Sequence, residues 1–194
     1  MKLAIAFVVP FVIFATASCA TPIAEPRPNF FANLSELCGK AFEGRVVSPP
    51  VAADASFAGK RLVMHVRECS ADTIRVPFNV GDDHSRTWVV TRTATGYRLK
   101  HDHRHRDGSE DKVTQYGGDS ITPRTAARQE FPADAFTKDL LVRVGNVAGA
   151  ANVWAIEVHP ERIIAYELRR PGRFFRVEFD LSRPIAPPPL PWGA

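Results

Sequence analysis

Three of the six histidines stand at alternate positions in one short run, His101-Asp-His103-Arg-His105. On a β-strand, residues two apart lie roughly 6.6 Å from each other and point to the same side. Imidazoles arranged in this way can share one transition-metal ion, and zinc, copper and iron all accept such ligands. Glu110, brought beside His105 by a tight hairpin, is a candidate fourth ligand or a support for a ligating ring. The competing reading is a hydrated hairpin tip in which Arg104–Asp111 and His105–Glu110 are ordinary cross-strand pairs.

The other chemistry-bearing residues form no recognised motif. Asp82-Asp83-His84-Ser85 holds the residue types of a hydrolytic triad, yet neighbours in one turn cannot supply nucleophile, base and orienting group. This stretch reads as a turn, with His84 and Arg86 at the rim of a cavity. The chain has no G-x-S-x-G, no H-E-x-x-H and no P-loop. Binding rather than catalysis is therefore the first reading, and a hydrolase survives only as water activated by a His-rich cavity. His65 and Arg67, alternating along a predicted strand, join His101, His103 and His105 as candidate ligand-binding residues. Arg92, Glu157 and Glu167 also fall on predicted strands, on faces the sequence does not assign.

The elements that must position these groups are short strands. Asp107-Gly108 between strand-like arms predicts a two-residue type I′ turn. That turn pairs Arg106 with Ser109, Arg104 with Asp111 and His103 with Lys112, and places His101 opposite Thr114. Tyr97, Leu99, His101, His103 and His105 then share an inward face, and Arg98, Lys100, Asp102 and Arg104 the outward one. Strands are predicted over 41–48, 61–69, 73–80, 85–93, 152–159, 163–170 and 173–181, with turns at Gly81-Asp82-Asp83, Thr95-Gly96 and Pro171-Gly172. Two short helices are predicted. One runs from Asn29 to Cys38, with Phe30, Phe31, Leu34 and Leu37 at helical spacing, and would plug the end of a barrel. The other runs from Pro132 to Leu141. Successive strands and tight turns predict a mostly β antiparallel meander closed into a calycin-like (lipocalin-like) barrel, with a β-sandwich as the alternative.

Residues 1–20 carry one positive charge, a short apolar core and small residues, the pattern of a secretory signal peptide. The competing reading of the same stretch is a lipoprotein signal that makes Cys19 the acylated first residue. Residues 21–29 form a Pro-rich tether, 30–183 a single β domain and 184–194 a Pro-rich tail. Loss or acylation of Cys19 leaves an even pair, which predicts a Cys38–Cys69 disulfide in an oxidising compartment; two separate buried thiols are the alternative. These readings place the protein outside the cytoplasm, periplasmic or membrane-anchored. The net charge of +4, concentrated in Arg162, Arg169, Arg170, Arg173 and Arg176, offers anionic lipid or cell-wall polymer as partners rather than nucleic acid, or simply solvates a β surface.

The segment Leu37-Cys-Gly-Lys-Ala-Phe-Glu-Gly44 resembles the glycine-containing first strand of calycins. A longer pattern comprises Cys38-Gly-Lys, Met64-His-Val-Arg-Glu-Cys69, Asp83-His-Ser-Arg-Thr-Trp88, Lys100-His-Asp-His-Arg-His105, Tyr116-Gly-Gly118 and Phe179-Asp-Leu181. It spans most of Cys38 to Pro184 and is similar to a group of exported bacterial proteins. That resemblance implies export and brings no activity with it. The functional expectation is a small-ligand-binding barrel with a His-lined hairpin, with metal binding, an envelope-tethered structural role and hydrolysis as the alternatives.

Overall fold

The computed structural model describes residues 29–121 and 125–194. The predicted leader with its cleavage or acylation at Cys19, and the predicted tether up to residue 28, lie outside the described residues. The rest is a mostly β chain, as the alternation of apolar and polar residues predicts. The strands are β1 (Ala41–Val46), β2 (Leu62–His65), β3 (Glu68–Cys69), β4 (Thr73–Val80), β5 (Asp83–Thr93), β6 (Gly96–His103), β7 (Tyr116–Asp119), β8 (Arg128–Pro132), β9 (Val153–His159), β10 (Ile163–Arg170) and β11 (Arg173–Ile185). Helices α1 (Phe30–Ser35) and α2 (Ala135–Arg143) complete it, with 3-10 turns at Ala52–Asp54 and Val147–Ala151.

The strands form one antiparallel sheet in the order β7-β6-β5-β4-β2-β1-β11-β10-β9-β8, with β3 attached to β4. Apart from β2, which pairs with β4 past the short β3, and the β7/β8 ends, chain neighbours are sheet neighbours, and the last strand returns to the first, with Val46 opposite Val177. The ends of the path, β7 and β8, approach each other. Ile121 N–H donates to the Glu130 carbonyl at 3.1 Å, and Asp134 N–H to the Gly117 carbonyl at 2.9 Å. The result is a nearly closed ten-strand barrel rather than two stacked sheets. Only a glycine allows that seam: a Cβ on Gly118 would lie 1.8 Å from the Pro132 carbonyl oxygen.

Inward residues of the strands other than the short β3, among them Phe42, Met64, Trp88, Leu99, Trp154, Tyr166 and Phe179, make one core. Helix α1 closes one end. Asn29 caps it by accepting from Ala32 N–H at 3.0 Å, and Phe30, Phe31 and Leu34 are buried beneath, against Tyr97. The helix is shorter than predicted because its last turn tightens: Leu37 and Cys38 donate three residues back, to Leu34 and Ser35. Cys38 and Cys69 form the expected disulfide, tying this end to β3. Helix α2 also starts later than predicted. Pro132 ends β8, and Asp134 is the N-cap, accepting from Thr137 N–H at 2.8 Å.

The opposite end stays open. It is bounded by the β4–β5 and β10–β11 turns, the β6–β7 loop, the α2 connection and the 47–61 loop. From that loop Phe57 packs on Phe175, ring centroids 4.7 Å apart. Strand β11 runs on to Ile185, further than expected. The end of the tail folds back on the barrel's outside, where Trp192 N–H donates to the His84 carbonyl at 3.0 Å.

Candidate functional site

The histidine strand is β6, and its faces divide as the sequence predicts. Leu99 and His101 are buried inward and His103 lies half-buried at the mouth. Arg98, Lys100 and Asp102 point outward to Asp119, Asp134 and the Arg75–Arg104 pair, respectively. The hairpin turn itself differs from the prediction. Gly108 N–H donates to the His105 carbonyl and His105 N–H to the Ser109 carbonyl, so three residues, Arg106 to Gly108, make the connection. Gly108 takes the positive φ (+87°) of the bulge residue. The register shifts accordingly: Arg104 bridges to Glu110 rather than Asp111, and His101 lies opposite Tyr116 rather than Thr114. The ion pairs swap too, with Arg104–Glu110 at 3.2 Å and His105–Asp111 at 3.8 Å.

His101 and His103 are brought together around Tyr116, and His105 is left apart at the exposed tip. His101 Nδ1 lies 3.0 Å from the Tyr116 carbonyl, which only accepts, so Nδ1 carries the proton. Nε2, 2.8 Å away from Tyr166 Oη, must then accept from that hydroxyl. Burial holds His101 neutral, its pKa lowered to about 3. For His103, Nε2 lies 3.0 Å from Tyr116 Oη, and burial followed by the Arg86 charge lowers its pKa to about 4. Burial raises both tyrosine hydroxyls. Both ring nitrogens of His101 are thus engaged. Among the described residues no group of three or more His, Cys, Asp or Glu is placed to hold a metal ion.

These groups line a cavity of about 270 Å³ at the open end. Its aromatic lining includes Trp88 stacked on Tyr166 (4.3 Å, 11°) and His101 stacked on Tyr116 (4.4 Å, 11°), with Trp154 beside them. Phe57, Phe78 and Phe175 supply apolar wall, and Arg86, Arg170, Arg173 and Asp111 are its charged residues. Arg86 donates to Asp83 at 2.6 Å, Arg173 is paired with Asp54, and Arg170 donates to the neutral Asn152 at 2.9 Å. Asp83 also accepts from Ser85 N–H at 3.0 Å, and His84 lies against Trp192, so the Asp-Asp-His-Ser stretch assembles no catalytic set.

His65 and Arg67 fall outside this cavity. On β2 and just beyond it, Leu62, Met64 and Val66 belong to the core, so the alternating positions His65 and Arg67 face outward. Arg67 pairs with Glu68. Arg92 sits at the closed end, its guanidinium 4.0 Å from the Phe31 ring. Glu157 and Glu167 belong to an outward ladder across β8–β11. Arg128 reaches Glu130 (3.0 Å), Glu157 and Glu167 (2.6 Å), and Arg176 reaches Glu157 (3.0 Å), Glu167 and Glu178 (2.8 Å). Burial disfavours the Glu157 carboxylate, but hydrogen bonds from Arg176 and Arg128 outweigh it and lower its pKa to about 2.

Sequence reading missed Trp88, Tyr116, Trp154, Tyr166 and Arg170 as cavity residues. The signal was present for Arg170: the parity of Ile164, Tyr166 and Leu168 continues to it. Comparison with protein-family models, with curated proteins and with solved structures finds no match.

Proposed function

We propose that this chain is a binding module that takes a small, partly aromatic organic molecule into the open end of its barrel. The observation that carries this reading is the cavity itself. It is concave and rich in aromatic rings, its histidines are held neutral, and few of its polar groups are free to orient a ligand. Its volume of about 270 Å³ lies just below the usual range of roughly 300–1,000 Å³, which favours a compact ligand over a long chain. The lowered histidine pKa values suit a wall better than a proton-transfer catalyst working near pH 7. The Cys38–Cys69 disulfide fits an oxidising compartment, and with the leader pattern and the resemblance to exported bacterial proteins it supports a periplasmic location.

The test is native mass spectrometry of the protein recovered from its own cells, beside titration of the purified protein with 1-naphthol, read by quenching of tryptophan fluorescence. Val113→Trp, which fills the cavity from a loop, serves as the blocked control. A small-molecule mass excess or saturable quenching, lost in V113W, is the expected result. A bare polypeptide mass together with no quenching, or responses identical in V113W, would overturn the reading.

A further inference from the structure

The mouth of the cavity holds an arrangement that the fold does not need. Arg170 on β10 and Arg173 on β11 are directly opposite each other in the ladder, beside the tight turn at Pro171-Gly172. Both line the cavity, as the inward parity of Leu168 and Phe175 requires. Like charges directly opposite on a sheet are destabilising. Only one of the two makes an ion pair: Arg173 pairs with Asp54, whereas Arg170 makes none among the described residues and its guanidinium hydrogen-bonds to Asn152. Burial and the neighbouring Arg173 lower the pKa of Arg170, and Asp54, which is paired with Arg173, offsets this only in part.

A second, independent observation lies one step deeper. Trp154 is 1% exposed and lines the same cavity, and its buried indole N–H has no acceptor among the described residues. An orphaned buried donor is uncommon and costly. On β9, Trp154 follows two residues after Asn152 on the same face, roughly 6.6 Å along the strand. Asn152 in turn holds Arg170 at 2.9 Å. Arg170 and Trp154 therefore line one wall of the cavity, with the Trp88–Tyr166 stack also lining it.

The geometry points to a flat aromatic carboxylate as the ligand class, its acid group bound by Arg170 with the Trp154 indole N–H and its ring against the Trp88–Tyr166 stack. This assignment rests on the binding-module reading above. A carboxylate supplies the missing counter-charge between two facing guanidiniums and accepts from an otherwise unmatched donor. A neutral ligand does neither, and a cation would add to the repulsion.

The test compares three probes of one shape in the purified full chain: 1-naphthoate, 1-naphthylmethanol and 1-naphthylmethylammonium, titrated against tryptophan fluorescence at pH 7. The expected order is carboxylate, alcohol, ammonium, with the carboxylate at least tenfold tighter than the alcohol. Arg170→Met should weaken the carboxylate to the level of the alcohol. Trp154→Phe, which deletes the N–H and keeps a ring, should cost the carboxylate about threefold. Melting temperatures of the free variants show that each is folded. Equal binding of alcohol and carboxylate, or a carboxylate preference that survives R170M, overturns the assignment while leaving the binding module intact. Binding of none of the three, with V113W indistinguishable from the parent, overturns both.

Discussion

On the outer face of β8–β11, Arg128 and Arg176 sit among Glu130, Glu157, Glu167 and Glu178, each guanidinium held by three carboxylates. On the inner face of two of those same strands, Arg170 looks across at Arg173 and finds a neutral amide. Alternate residues of one sheet thus receive opposite treatment. The outer ladder is electrostatically complete, and completeness of that kind belongs to structure: nothing further has to arrive for its charges to be matched. The mouth is incomplete, with a facing cation pair, an unmatched indole donor and two histidines that burial forbids to ionise. The inner face thus carries, among the described residues, the unmatched groups that the proposed ligand would satisfy.

Acid separates the two regions most strongly. The histidine pKa values are lowered in the folded state, to about 3 and about 4, from an ordinary 6.5. Between those values the unfolded chain binds protons that the folded one refuses, so stability falls as pH drops from 6.5, at up to about 1.4 kcal/mol per pH unit for each histidine. The outer ladder loses stability later. Glu157 is lowered from 4.5 to about 2, so its contribution, complete above 4.5, is lost only as pH falls through that lower window. Urea midpoints at pH 7, 5.5, 4.5 and 3 should show the first loss above pH 4.5, and His101→Gln should flatten that part of the curve alone. A first loss confined to pH below 4.5 would refute the separation.

The next largest effect is on the outer face. Glu167 is 4% exposed and serves both Arg128 and Arg176. Glu167→Ala should cost about 3 kcal/mol by chemical denaturation, the lower end for breaking a buried pair, because Glu157 remains to both arginines. Naphthoate binding should be unaffected. At the mouth the sign reverses: Arg170→Met removes one of two opposed like charges and should leave the free protein equally stable or more stable by up to about 1 kcal/mol. A clear loss of stability would make Arg170 a structural residue like those outside. The smallest effect belongs to Arg98–Asp119, an outward pair about half exposed on both sides. Arg98→Met should cost about 0.5 kcal/mol or less at low salt and nothing measurable at 1 M salt.

Much of this was legible in the chain because β-structure writes its faces with period two. The inward run Tyr97-Leu99-His101-His103, the turns at Gly81 and Gly172, and the Cys38–Cys69 pair are all visible in residue order. Other features were not legible, each for a physical reason. Asp107-Gly108 fits both a two-residue turn and a three-residue turn with glycine in the bulge, and only the closing hydrogen bonds distinguish them. Alternation separates two faces without naming the inner one, and in the fold it is Leu62, Met64 and Val66, not the candidates His65 and Arg67, that face the core. The Trp88–Tyr166 stack joins β5 to β10 across the lumen, a contact that no local pattern encodes. Arg170 and Arg173 are indistinguishable in residue order from Arg162, Arg169 and Arg176, because composition counts charges and does not say which side of the sheet they face.

The ladder between β1 and β11 has a consequence for how the molecule is made. Every other principal pairing joins strands close in the chain and can form locally as the chain emerges. This one sets Val46 against Val177 and Ala41 against Ile185, and it must wait for the final strand. Until β11 arrives, β1 and β10 are unpaired edges, each a template for another chain. Long-range pairing of this kind slows folding and prolongs that exposure. A chain stopped at the Pro171-Gly172 turn would carry the whole aromatic lining up to Tyr166 and nearly all its strands, yet would be left with two sticky borders and no way to join them.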